Sequence, residues 1–236
     1  AGKAVEFEEF VKGKDPLLKQ IIRAGGLFPY LRSKPDAPKL AGSETVRPMN
    51  IWEKRLARVL RMRSIRIGEQ FLLPIDEYYS YVGLSGLTRS VLIDEYGKVR
   101  RSLPADRIRL YEDHFAHSSR EIIPIMTETQ RRFAQELGLP QANYYRGTRR
   151  EGGGVGISHR DRLENIDPRN VQVVACTDSH TPTLGALPLL PIPVGSTMGA
   201  VAIAEGKIPY TASPVLRINL TGDLPPGHSI RDVQLE

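Results

Sequence analysis

The chain of 236 residues holds a single cysteine, Cys176. One thiol excludes an intrachain disulfide, and it equally excludes any metal or cluster site that draws three or four thiolates from this chain. Long apolar runs are also missing. No stretch approaches the roughly 18 residues a membrane-spanning helix needs. No charged segment leads into a short apolar one near Ala1, so the pattern of a signal peptide is absent and the cytosol is the default compartment. Blocks of one charge are lacking as well: 33 Lys and Arg against 27 Asp and Glu give a net charge of +6, scattered along the chain. Such a balance suits a small polyanionic substrate better than nucleic acid, and neither nucleic acid nor a membrane is expected as a partner.

What is present is ordinary for a globular protein. An apolar content of 40% with 25% charged residues excludes collagen, coiled coil and disorder, and 21 Gly with 18 Pro imply many tight turns. The length allows one large domain or two small ones. The chain starts at Ala1 without Met and stops inside an apparent element, Ser229 to Glu236. A fragment or processed chain is therefore expected.

Residues 1–33 read as a self-contained terminal piece. Asp15 caps a short helix with Pro16 in its first turn, Leu17, Leu18, Ile21 and Ile22 on one face, and Gly25-Gly26 beyond its end. Residues 34–48, with Pro35, Pro38, Gly42 and Pro48 among Lys, Ser and Asp, read as a linker. Residues 49–236 form the main domain. There Asn50 caps a helix with Trp52, Leu56, Val59 and Leu60 on one side and Lys54, Arg55, Arg58 and Arg61 on the solvated other. From Arg66 to Arg101 no clear period emerges. Strands are expected at 107–111, 171–175 and 215–220, with helices at 119–137, stopped by Gly138, and 195–205, stopped by Gly206. This alternation predicts a layered α/β fold.

Two acid-histidine groups follow predicted strands: Asp113-His114 after the strand ending at Tyr111, and Asp178-Ser179-His180 after the one ending at Ala175. Ligands gather beyond the carboxyl ends of strands in layered α/β folds, which makes the two groups candidates for one pocket. A carboxylate beside an imidazole fixes its tautomer and raises its pKa, as proton transfer to an anionic substrate requires. The glycine-rich stretch 152–156 lacks the Lys-Ser/Thr of a phosphate loop. His117 and His228 read as exposed loop histidines, and Cys176 as a buried thiol at a strand end.

The order of Thr177 to His180, Gly185-Ala186-Leu187, Val194 to Thr197, Leu224 to Gly227 and Asp232 to Glu236 resembles the large subunits of the aconitase family, the 3-isopropylmalate dehydratase and homoaconitase branch. Asn50 to Lys54, Asp106 to Phe115 and Gly156 to His159 extend the likeness over roughly residues 49–236. A shorter likeness links residues 1–32 to the carboxyl end of that branch's small, swivelling subunit.

The resemblance implies an α/β/α domain from the first part of a hydro-lyase that dehydrates and rehydrates a hydroxy polycarboxylic acid. It implies catalytic roles for Asp113, His114, His159, Asp178 and His180, with His114 paired to Asp113, His159 to Asp178, and His180 to an acid beyond Glu236. Substrate contacts fall to Ser179 and Thr181. The resemblance also implies a [4Fe-4S] cluster, a polycarboxylate substrate, and swivel and cluster-bearing regions as partners. The cluster's cysteines and the swivel serine base are absent from this chain, which predicts inactivity on its own. Three further departures stand out: Thr177 in place of Gly, Asp76 to Tyr81 in place of a histidine-bearing loop, and the charged run Arg160 to Glu164. Two alternatives remain at the level of sequence. One is a non-catalytic relative without the cluster, the other a mononuclear metallohydrolase whose histidines and aspartates hold the metal.

Overall fold

The computed structural model describes residues 6–33, 47–115, 120–147 and 156–235. Its centre is a sheet of five parallel strands: β2 (Glu77–Tyr81), β3 (Ile108–Tyr111), β4 (Tyr144–Tyr145), β5 (Val173–Cys176) and β6 (Leu190–Pro193), in the spatial order β4-β3-β2-β5-β6. Tyr78 lies opposite Ile108 on one side and Ala175 on the other. An antiparallel pair, β1 (Gln70–Pro74) with β7 (Lys207–Thr211), stands apart from it.

Successive strand residues face opposite sides of a sheet, so each strand serves two cores. Tyr78, Leu110, Val173 and Ala175 join a large apolar cluster that includes Ala200 to Ala204 of α8 (Ser196–Glu205), Leu92 of α5 (Val82–Tyr96) and Phe133 of α6 (Ile122–Leu137). Tyr79, Tyr111, Val174 and Cys176 join a smaller cluster on the other face, where Leu163 of α7 (Ser158–Asn165) and Leu184 pack. The expected layered α/β/α arrangement is observed. Gly199 lets α8 lie close on the sheet, because a Cβ there would sit 2.9 Å from the Tyr78 hydroxyl.

The strand order reverses at β2. The chain runs outward through β3 and β4, then returns to place β5 on the opposite flank. Right-handed crossovers require the connecting helix to change face at such a reversal. Accordingly α5 and α6 pack on one side and α7 on the other. A reversal of this kind opens a crevice at the carboxyl ends of the strands.

Several expectations need correction. The terminal piece is not self-contained: Leu17 of α2 (Pro16–Arg23) and Tyr30 and Leu31 of α3 (Leu27–Arg32) are buried in the large cluster, whose other members include Leu56 and Phe71. Asn50 does cap α4 (Ile51–Val59), sharing a capping box with Glu53, but the helix ends before Arg61, which takes a left-handed φ of 53°. The stretch without a clear period contains β1, β2 and α5, and the apolar run Val91 to Ile93 lies inside that helix. Residues 215–220 form no strand. Leu216 and Ile218 are 84% and 74% exposed, and nothing among the described residues supplies the neighbouring strand on which such a pattern depends. The linker at 34–48, apart from Arg47 and Pro48, lies outside the described residues, as do His117 and Gly152 to Val155. Among the described residues no helix is long and apolar enough to cross a membrane.

Candidate active site

The crevice at the reversal gathers the two acid-histidine groups. Asp113 and His114 follow β3, Asp178 to His180 follow β5, and His159 lies in the first turn of α7. The ring centres of His159 and His180 are 4.6 Å apart and nearly parallel, and His114 lies 6.0 and 6.5 Å from them.

Asp178 is the shared anchor. Its Oδ2 accepts from Nδ1 of His159 at 2.8 Å, and its Oδ1 accepts from both the backbone N–H and Nδ1 of His180 at 3.0 and 2.9 Å. A carboxylate only accepts, which places the proton of each ring on Nδ1 and leaves Nε2 facing away from the acid. Burial works to raise the Asp178 carboxyl, but the bonds from His180 and His159 outweigh it and hold its pKa below the ordinary value. Within this chain Asp178 thus serves as an acid partner of His180 as well as of His159. The reason is local: an Asp can bond its own backbone two residues on, and this turn swings the His180 ring back onto the same carboxylate.

Asp113 has two tasks. Its Oδ2 lies 3.0 Å from Nδ1 of His114 and also accepts the backbone N–H of Ser158, at the start of α7, at 2.6 Å. Ile157, which precedes α7, offers no side-chain cap, so a carboxylate from another element fills that place and meets the positive end of the helix. One side chain thus fixes His114 and the helix carrying His159. The hydrogen bond His114 donates to Asp113 is the main influence on its pKa and raises it, with burial opposing and the charges of Asp113 and Asp178 assisting. Nε2 of His114 is 3.7 Å from Asp178 Oδ2. The backbone of His114 is left-handed at φ 63°, a sparsely populated conformation that histidine tolerates better than most side chains and that recurs at functional sites.

Two residues escape a reading of the sequence. Tyr81 lays its ring 4.5 Å from that of His114, and Gly83 leaves room for it, since a Cβ there would fall 2.4 Å from Tyr81 Cε2. Burial, then the nearby Asp178 and Asp113, raise the Tyr81 pKa and keep the phenol neutral. The sequence shows only three neighbouring tyrosines, Tyr78, Tyr79 and Tyr81, and nothing that singles out Gly83.

The departures from the family pattern also find physical roles. The Thr177 hydroxyl pairs with that of Ser80 at 2.7 Å inside the sheet. Within the charged run of α7, Asp161 accepts from the Tyr111 hydroxyl at 2.6 Å, and Arg162 meets buried Glu77, which also binds Arg109. Inward charges here fasten α7 to the strands beneath it.

Ser179 is exposed, and its hydroxyl has no partner among the described residues. Thr181, expected to touch substrate, is fully buried, and its hydroxyl donates to the Asp178 carbonyl, holding the turn. His228 is exposed, and Cys176 is fully buried at the end of β5, accepting the Asp178 N–H. A [4Fe-4S] cluster requires several thiolates. The one thiol here faces the core and burial pushes its pKa up, so the residues of this chain do not fit a cluster.

Comparison with known proteins identifies the family of the chain. Residues 98–236, more than half of the chain, match the family described as "Aconitase family (aconitate hydratase)". The 2,3-dimethylmalate dehydratase large subunit of Eubacterium barkeri is 31% identical over 189 residues, 79% of this chain and 42% of that protein. The 3-isopropylmalate dehydratase large subunit 1 of Deinococcus radiodurans is 27% identical over 207 residues, covering 85% of this chain and 44% of its own length. That of Pyrococcus abyssi is 29% identical over 191 residues, covering 79% and 42%. The chain spans less than half the length of these relatives. It belongs to the aconitase family.

Proposed function

We propose that this chain supplies the imidazole and carboxylate side of a hydro-lyase site for a hydroxy polycarboxylic acid, of the kind named in its dehydratase relatives. The observation that carries the reading is the convergence of three imidazoles in one crevice, each with Nδ1 on an aspartate. Elimination of water from such an acid breaks a carbon–oxygen bond, and hydroxide is a poor leaving group unless it is protonated as it departs. His114, held by Asp113, is the proton donor, and the fixed Nδ1–H···carboxylate bond directs its Nε2–H toward the leaving hydroxyl. His159 and His180, locked by Asp178, are the polar wall against which substrate oxygens lie. The free Ser179 hydroxyl donates to a substrate carboxylate. On this reading the proton on the adjacent carbon is removed by a base outside this chain, and a swivel or small-subunit partner together with a cluster-bearing region completes the site. The chain alone binds the acid without turning it over.

Calorimetric titration with 3-isopropylmalate and 2,3-dimethylmalate tests this. The expected result is one site per chain, weakened about tenfold or more by His114→Ala and less by Ser179→Ala, as loss of hydrogen bonds to a charged ligand dictates. No binding at millimolar ligand, or binding indifferent to both substitutions, contradicts the proposal.

A further inference from the structure

We propose that His114, His159 and His180 also form a site for one divalent transition-metal ion of the zinc class, with Asp178 and Asp113 as the carboxylates that orient the ligands. The inference stands apart from the hydroxy-acid reading. A metal on the three Nε2 atoms would displace the proton that reading assigns to His114, so the two states of the cluster exclude each other.

Four observations carry it. His114, His159, Asp178 and His180 each present a ligand atom, all within 4.8 Å of one another. Donors around one tetrahedral ion lie about 3.4 Å apart for bonds of about 2.1 Å, so the rings must draw in from this spacing to close on an ion. Next, the tautomers are fixed. Nδ1 of His159 and His180 is bonded to Asp178 and that of His114 to Asp113. Metal-binding histidines commonly have this carboxylate–imidazole–metal arrangement, in which the outer acid aims the ring and strengthens Nε2 as a donor.

Among the described residues, Nε2 of His159 and His180 has no hydrogen-bond partner, so binding a metal would break no protein bond at these two atoms. Finally, the cluster is open to solvent most at His180. The Asp178 side chain is 3% exposed and that of His159 17%, while that of His180 is 61% exposed. An ion can enter past His180 and keep a position open to water, as three-histidine sites do. Imidazole donors select zinc, cobalt or iron over magnesium or calcium, which take oxygen ligands.

Cobalt(II) is the probe, added to the chain after chelator treatment and followed by visible absorption and calorimetry. The expected result is one Co²⁺ per chain with the absorption bands of a tetrahedral nitrogen site, and their loss when Zn²⁺ is added. Asp178→Asn should weaken binding about 10- to 100-fold, and His180→Ala should abolish the tetrahedral spectrum. Because His180 is largely exposed, His180→Ala should retain the unfolding temperature of the unaltered chain. Absence of stoichiometric binding, or a spectrum and affinity unchanged in His180→Ala and His159→Ala, overturns the proposal. The hydroxy-acid titration reads out separately, so either proposal can fail while the other holds.

Discussion

Asp113 links local chemistry to the larger structure. Its carboxylate holds a histidine and the buried N–H that begins α7, and removal leaves that donor without a partner. Asp113→Ala should therefore destabilise the fold by about 1–3 kcal/mol, read as a lower denaturant midpoint at constant slope. Gly83→Ala tests the packing over His114. The new methyl must push the Tyr81 ring aside, which should cost about 1–3 kcal/mol and shift the ring resonances of His114. The pairs Asp113-His114 and His159-Asp178 were legible in the sequence, the first because its members are neighbours and the second through the resemblance. The double use of Asp178 was not legible, because it depends on a turn that folds the His180 ring onto an acid already engaged by His159. The bond of Thr181 was not legible for a related reason: a hydroxyl beside catalytic-type residues suggests a ligand contact, and its donation to the backbone carbonyl of the same turn depends on the fold of that turn.

Among the secondary-structure elements, α7 is fixed less by apolar burial than by charge. Glu77 on β2 meets Arg162 on α7 and Arg109 on β3, and burial holds its carboxyl above the usual pKa despite both guanidiniums. Glu77→Ala should cost about 3–5 kcal/mol, since it leaves buried Arg162 unpaired. Thermal or urea unfolding measures the loss. The contact between α5 and α6 carries a milder pair, Arg89 with Glu136, where the bond from Arg89 holds the Glu136 carboxyl below its ordinary pKa. A carboxyl depressed in the folded state stabilises the fold above its unfolded pKa and ceases to do so as pH falls through the folded value. Glu136→Gln should thus be less stable than the unaltered chain at pH 7 by under about 1 kcal/mol, with the difference vanishing on acidification.

Elements with clear signals, such as the helix stopped by Gly138 and the strands ahead of each acid, emerged from the sequence with small errors at their ends. Residues 215–220 alternate like a strand, yet alternation describes only one partner of a ladder. β2 stayed hidden because Glu77 to Tyr81 is buried on both faces and includes a charge, so it shows no period of two.

For the whole molecule, the site follows from topology. Parallel strands and one reversal at β2 bring together groups far apart in sequence: residue 114 follows the strand on one flank of β2, residues 178–180 follow the strand on the other, and His159 comes from α7. The layered fold was foreseeable from the alternation of helices and strands, whereas the strand order, and with it the meeting of the three imidazoles, was not. Nitrogen-15 spectra of the histidine side chains during titration with 3-isopropylmalate test that convergence most directly. The account predicts that His159 and His180 hold their Nδ1–H tautomers in the free chain, that His114 carries protons on both nitrogens below its raised pKa, and that all three shift together along one binding curve, while exposed His228 stays still. Rings that respond at different ligand concentrations, or His159 and His180 in the opposite tautomer, would contradict it.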